Sequence, residues 1–309
     1  MLYDNEYWTY DDEAEILQVK RVEELHHNMF EDFNNAYGKF SNDIDYKVII
    51  PDSVWLIDRA CFQNMNAKEY VIPDSVEEIG SYAFADNSYL KVIQWSDSVK
   101  SISEHAFENC NGLKEIVLPE GIEEICDSAF NDCKFLKTIS IPSTVSKIGS
   151  SAFGYCYLLK EISFSDSIRR IEPRAFEYCT HLESIQLPEG LQCIGKRAFY
   201  YCSSIETIFI PSTVEELGAY AFEDCKKLRE IHVPGTLFRE YREPNSYFKS
   251  KTSAEVIPYD EPVNLSANTI EEPEIITANN VEIAAASKRE FKSFNGVIRT
   301  NLIANKKKK

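Results

Sequence analysis

Residues 141–163 read IPSTVSKIGSSAFGYCYLLKEIS, residues 118–140 read LPEGIEEICDSAFNDCKFLKTIS, and residues 187–209 read LPEGLQCIGKRAFYYCSSIETIF. The three stretches align without a gap on I-P-x-S-V-x-x-I-G-x-x-A-F-x-x-C-x-x-L-x-x-I-x. Working outward, the phenylalanine of this pattern recurs as Phe62, Phe84, Phe107, Phe130, Phe153, Phe176, Phe199 and Phe222, a first step of 22 residues followed by steps of 23. A fixed period of this length marks a small unit stacked on copies of itself, because one such unit cannot bury its own apolar side.

Within 141–163 the recurring apolar positions are Ile141, Val145, Ile148, Ala152, Phe153, Cys156, Leu159 and Ile162, and these are the inward ones. The L-x-x-I-x-I-P run alternates apolar and polar at its end, as a short half-buried strand does, and the proline ends that strand. A second extended stretch, S-V-x-x-I-G, leads to Gly149, read here as a corner residue with positive φ, and then to a single helical turn around Ala152 and Phe153. The fold class is an α/β repeat solenoid of 23-residue coils with short parallel strands and single helical turns.

The motif I-P-x-S-V-x-x-I-G-x-x-A-F-x-x-C-x-x-L-x-x-I resembles the BspA-like class of leucine-rich repeats over residues 48–237, about eight coils. Departures are local: Trp95-Ser96 and Phe164-Ser165 replace Ile-Pro, and Cys126 replaces the corner glycine. The resemblance implies a curved, right-handed solenoid that binds other macromolecules, commonly in adhesion or surface attachment, and brings no catalytic residues with it.

The organisation follows from where the pattern holds. Residues 1–47 are an acidic N-terminal cap or a degenerate first coil with an insertion, 48–237 the array, 238–258 a C-terminal cap, and 259–309 a charged tail whose composition reads as disordered. Residues 22–33, VEELHHNMFEDF, fit half a coil with Val22, Leu25, Met29 and Phe30 inward. Val22, Leu25, Met29 and Phe33 also fit a capping helix. NNAYGKFSND then projects as a loop, and REYREPNSYFKS closes the far end of the sheet. In the tail, VEIAAASKREFKSF fits a transient helix, and Asn264-Leu-Ser is an isolated sequon.

Formal charge is −17 in all, −8 over residues 1–47 and −10 over residues 48–256, which hold the array, so a nucleic-acid backbone is repelled and no nucleic-acid partner is expected. No apolar stretch approaches membrane-spanning length, and MLYDNEYWTYDDEAE is acidic where a signal peptide is basic and then apolar. That points to a cytoplasmic location; the resemblance gives the alternative, extracellular or at the cell surface.

Cys110, Cys133, Cys156, Cys179, Cys202 and Cys225 also repeat at 23, three residues after each phenylalanine, with Asn87 and Met65 at the end of the column. Small buried thiols explain such a column, although neighbouring coils come within disulfide reach. There is no C-x-x-C pair, a linear row does not converge on a metal, and the adjacent His26 and His27 diverge, so neither metal nor cofactor is expected. Cys193 shares an outward column with Glu124, Lys147 and Arg170, which makes it the expected reactive thiol.

Two outward columns are candidates for contact. One, on the strands, is nearly uncharged: Gln94, Val117, Ser140, Ser163, Gln186, Phe209 and His232. The other places Tyr155, Tyr178 and Tyr201 on consecutive coils, as hot-spot aromatics or as rings that merely stack on each other. With no phosphate loop and no triad-like grouping, the reading is a non-catalytic scaffold that binds another protein, preferentially through the strand column. The alternatives are a structural or surface-display repeat and a glycan-binding module using exposed tyrosines.

Overall fold

The computed structural model describes residues 2–22, 24–26, 29–30, 46–240 and 254–260. The chain divides into two compact units, Met1–Pro262 and Val263–Lys309, and every described residue belongs to the first. His27, Phe33, the loop expected over residues 34–43, the polar run over 241–250, and the tail from 261 with its sequon lie outside the described residues.

Each coil contributes two short extended segments. The S-V-x-x-I segments form one parallel nine-stranded sheet running from Glu24–Leu25 through Leu56–Ile57, Glu78–Ile79, Ser101–Ile102, Glu124–Ile125, Lys147–Ile148, Arg170–Ile171 and Cys193–Ile194 to Glu216–Leu217. The register is whole-coil, with Ile102 opposite Ile125 and Ile148 opposite Ile171, so the apolar residue of every strand enters one shared core. Glu24–Leu25 pairs with Leu56–Ile57, and the Phe30 ring lies 4.9 Å from Phe62, so Leu25 and Phe30 take coil positions and not those of a capping helix.

The second row of strands is interrupted. Glu69–Val71 pairs with Val92–Gln94 in one sheet, Thr138–Ser140 pairs with Glu115–Val117 on one side and Glu161–Ser163 on the other in a second, and Thr207–Phe209 pairs with Glu230–Pro234 in a third, while residues 184–186 form no strand. Both losses of pairing after a well-formed strand follow the two departures from Ile-Pro. Trp95 and Phe164 are only partly buried where isoleucine or leucine is buried in other coils, and each ring packs edge-on against the phenylalanine of its own coil, at 5.6 Å on Phe107 and 5.9 Å on Phe176. Each interruption thus coincides with an aromatic ring in place of the aliphatic residue at that corner.

The expected helical turn is instead a succession of tight turns with two left-handed residues per coil, such as Ser151 at φ 54 and Tyr155 at φ 60. Amides alternate in direction. Ala152, Gly154 and Cys156 donate within the coil, to Gly149, Ser151 and Phe153, whereas Ser151, Phe153 and Tyr155 donate at 2.7–3.0 Å to Pro173, Ala175 and Glu177 of the next coil. Backbone polarity is thereby satisfied without a helix, half of it by the neighbouring coil. Gly149 does not supply the positive φ; it is needed because a Cβ there would sit 2.5 Å from the Cys126 carbonyl carbon and 2.6 Å from the Asp127 nitrogen.

Inside, the phenylalanines from Phe62 to Phe222 are buried and stack with centroids 5.0–5.5 Å apart, and from Phe84 onward adjacent rings are within 6° of parallel. Beside them runs the thiol column. Each of the six cysteines donates its S–H to the phenylalanine carbonyl of the preceding coil, as Cys133 does to Phe107 at 3.2 Å and Cys156 to Phe130 at 3.3 Å. At the start of the column Asn87 replaces the thiol with an amide: its Nδ2 donates to Phe62 and Phe84 at 2.7 and 2.8 Å, and its Oδ1 accepts from the Asn66 amide and the Tyr70 hydroxyl.

The ends carry strands outside the repeat. Leu2–Asp4, Trp8–Asp11 and Ile16–Val19 form an antiparallel meander whose last strand pairs in parallel with Lys47–Ile49. Alternation buries Trp8, Tyr10, Leu17 and Val19. At the other end a helix, Gly235–Glu240, follows Glu230–Pro234, and Glu255–Tyr259 adds in parallel beside that strand.

Replacing Phe153 by alanine removes a fully buried ring from mid-stack and is expected to cost about 3–5 kcal/mol in chemical denaturation; a loss under about 1 kcal/mol would remove the ladder from the core. Burial raises the thiols of Cys133 and Cys225 to about 12 against an ordinary 9.0. The unfolded chain therefore gives up these protons first, so their contribution to stability is intact below pH 9 and falls as pH rises towards 12. A Cys133→Ser, Cys225→Ser protein keeps the donors without titrating and should lose less stability over that interval; identical alkaline profiles would refute this account.

Candidate binding surfaces

The strand column is distributed over three groups. Val117, Ser140 and Ser163 stand in register on one sheet and are exposed, Val117 at 57 %. Gln186 is exposed outside any strand, and Gln94 is half-buried on another sheet with its amide bonded to Glu69. Phe209 and His232 lie opposite each other in the third sheet with rings stacked at 4.0 Å, so one face of Phe209 is spent on His232 within the outward column itself.

The tyrosine column is a stack. Tyr155 lies 5.0 Å from Tyr178 at 12°, and Tyr178 lies 5.0 Å from Tyr201 at 29°. Tyr157 and Tyr200 meet this row edge-on at 6.2 and 5.5 Å, and the Lys226 ammonium caps it, 4.7 Å above the Tyr201 ring and 2.7 Å from its hydroxyl. All three column tyrosines are half-buried, which leaves edges and hydroxyls rather than faces to the outside. Each also holds φ of 60–63, a conformation that Asn109 and Asp132 take at equivalent positions more cheaply, because short polar side chains tolerate it and large ones do not.

Other reactive groups are dispersed or shielded. His105 stacks on Tyr82 at 4.5 Å and meets Glu108 at 2.9 Å, His181 meets the Tyr157 carbonyl at 2.8 Å, and His232 is on the strands. Among the described residues no group of three or more His, Cys, Asp or Glu side chains is arranged to hold a metal, and no helix is long and apolar enough to cross a membrane.

Cys193 corrects the expected reactive thiol. It does occupy the column of Glu124, Lys147 and Arg170, but it is buried at 6 % exposure. Arg170 and Glu216 flank it in register, and their side chains approach to 3.7 Å, an ion pair spanning two coils across the thiol. Burial first, and a hydrogen bond to Glu216 second, push Cys193 to about 11. Cys126 is the one partly exposed cysteine of the nine, and burial raises it to about 11 as well.

Native thiol labelling should therefore modify Cys126 first, slowly near neutrality and about tenfold faster per pH unit as the thiolate fraction grows. The six column thiols should stay protected. Glu216→Ala should raise labelling of Cys193 towards the rate of Cys126, whereas rapid reaction of Cys193 in the unaltered chain would contradict the shielding.

A family model described as BspA type Leucine rich repeat region matches in six copies over residues 36–160 and 147–252. No curated protein matches. The chain is similar to the T. pallidum Leucine Rich Repeat protein of known structure, at 25 % identity and TM-score 0.35, covering 62 % of this chain and 66 % of that one, so it spans slightly less than two thirds of that relative. It is also similar to a leucine-rich repeat protein from Bacteroides ovatus (23 % identity, 78 % and 83 % covered, TM-score 0.36). A leucine rich cell surface protein from Faecalibacterium prausnitzii matches at 20 % identity, with 85 % and 96 % covered and TM-score 0.36. With the repeat motif matched over most of its length and the coils stacked as that motif requires, the chain belongs to the BspA type leucine-rich repeat family.

Proposed function

We propose that this protein is a non-catalytic scaffold that binds another protein through the outward strand column, with residues 1–47 and 238–258 closing the ends of the array. One observation carries this reading: Val117, Ser140 and Ser163 on paired strands, with Gln186 next in the column but outside any strand, are exposed and uncharged in a chain of net charge −17. Uncharged side chains on hydrogen-bonded strands lose little desolvation energy and little entropy on association. A structural or display role for the repeat needs no such column.

The glycan alternative is less well supported at the tyrosines, because sugars stack on aromatic faces and these faces are occupied by neighbouring rings. For location, the cytoplasmic expectation has no structural support, and the reading adopted is the cell surface, as the resemblance to repeats used in surface attachment implies.

A Val117→Glu, Gln186→Glu protein tests the strand column, since both side chains are exposed and Phe209 is tied to His232. Affinity capture from extract followed by mass spectrometry should recover a specific partner with the unaltered chain and lose it with the variant, at unchanged thermal midpoint. Equal capture by both proteins would refute the site. Binding on a glycan array with no protein captured would move the function to the glycan alternative.

A further inference from the structure

Left-handed backbone positions recur twice per coil on the turn side. Over the earlier coils many carry side chains suited to that conformation, among them Asn64, Asp86, Asn109, Ser128 and Asp132. From Tyr155 onward the occupants change: Tyr155, Arg174, Tyr178, Arg197, Tyr201 and Tyr220 take six consecutive left-handed positions, with φ of 58–64. Large side chains are unfavourable there, and backbone strain of this kind concentrates where side chains serve a ligand.

Arg197 sits at the centre of this patch. Its guanidinium carbon is 5.2 Å from the Tyr200 ring centre and 5.7 Å from that of Tyr220, so two aromatic faces hold the fork in place. Its Nε is buried without a hydrogen-bond acceptor, and although the buried Glu177 carboxylate feels its charge, no carboxylate of the described residues lies within ion-pair distance of it. The neighbouring coil differs: Arg174 approaches the buried carboxylate of Glu177, with Nε 3.5 Å from Oε2. An arginine has five donors and no acceptor capacity, and stacking on rings satisfies none of them. Arg197 is thus a preorganised cation whose hydrogen-bonding partner is not supplied by the described part of the chain.

We propose that Arg197, clamped between Tyr200 and Tyr220, binds the carboxylate of an Asp or Glu side chain in a partner protein, while apolar or aromatic residues beside that acid pack on the tyrosine edges. A planar fork matches a carboxylate in two parallel hydrogen bonds. Surrounding charge limits the ligand to a single negative charge: Glu177, Glu223 and Asp224 lie on the same coils, and the array is acidic overall, so a phosphoryl dianion or a run of acids meets repulsion. Tyr220, 36 % exposed, and the half-buried Tyr178, Tyr200 and Tyr201 supply amphipathic area around the charge. This surface lies on the turns, not on the strand column, and does not depend on the strand reading.

A random-peptide phage library selected on the immobilised full chain tests the proposal. The expected consensus is one acidic residue flanked by aromatic or apolar residues, and a synthetic consensus peptide should bind at least about tenfold more tightly than its Glu→Gln counterpart. Arg197→Asn should lose this consensus while melting within about 2 °C of the unaltered chain or above it, because asparagine suits the left-handed position. Val117→Glu with Gln186→Glu should leave selection unchanged, which separates this site from the strand column. A consensus without an acid, no enrichment, or a consensus retained by Arg197→Asn would overturn the proposal. So would displacement of the peptide by inorganic phosphate at concentrations where acetate has no effect, which would reassign the site to a phosphoryl group.

Discussion

Every coil depends on a neighbour one period away to satisfy half of its turn amides and to cover one face of its phenylalanine. Phe153 illustrates the constraint: its amide donates to Ala175 at 2.8 Å, its carbonyl accepts the Cys179 thiol at 3.2 Å, and its ring lies 5.5 Å from Phe130 and 5.4 Å from Phe176. Neither polar nor apolar needs can be met inside 23 residues. Stability is consequently a property of the stack, approximately a sum of coil terms and nearest-neighbour terms.

That constraint explains which departures from the motif are tolerated. Asn87 substitutes for a thiol because its amide makes the same bond to a phenylalanine carbonyl and adds others that tie in Asn66 and Tyr70. Trp95 and Phe164 keep their rings in contact with the phenylalanine ladder, and the disturbance goes to the strands outside it. The nine-stranded sheet passes both sites unbroken, whereas the other row divides. The core thus takes precedence over the strand surface, and variation appears on outward columns where it alters what the scaffold presents.

Two surfaces result, and they differ in physical character. The strand column is uncharged, and its pairing is interrupted. The turn side of the later coils concentrates strain, stacked tyrosines and a clamped guanidinium at positions where earlier coils carry asparagine and aspartate. In the first, desolvation is cheap; in the second, one cation has donors left over. Neither property serves the stack itself, which is why both stand apart from the repeat's own logic.

The sequence by itself determined the period, the inward residues and the family, because a buried position must be apolar in every copy and so repeats in the text. The thiol column and Phe ladder were legible for that reason, down to the replacement at Asn87. The N-terminal meander had a local signal in the alternation of Trp8-Thr9-Tyr10-Asp11 and Leu17-Gln18-Val19, but no repeat to frame it. Only the tertiary structure decided that Cys193 is closed over, since the lid is an ion pair between residues 170 and 216, far apart in sequence and on either side of the thiol in space. It likewise decided that the tyrosines present edges rather than faces, that Phe209 is spent on His232, and that the turn residues are left-handed. Outward side chains are free to differ between coils, so their partners are set by distances across the stack, which a linear pattern does not carry.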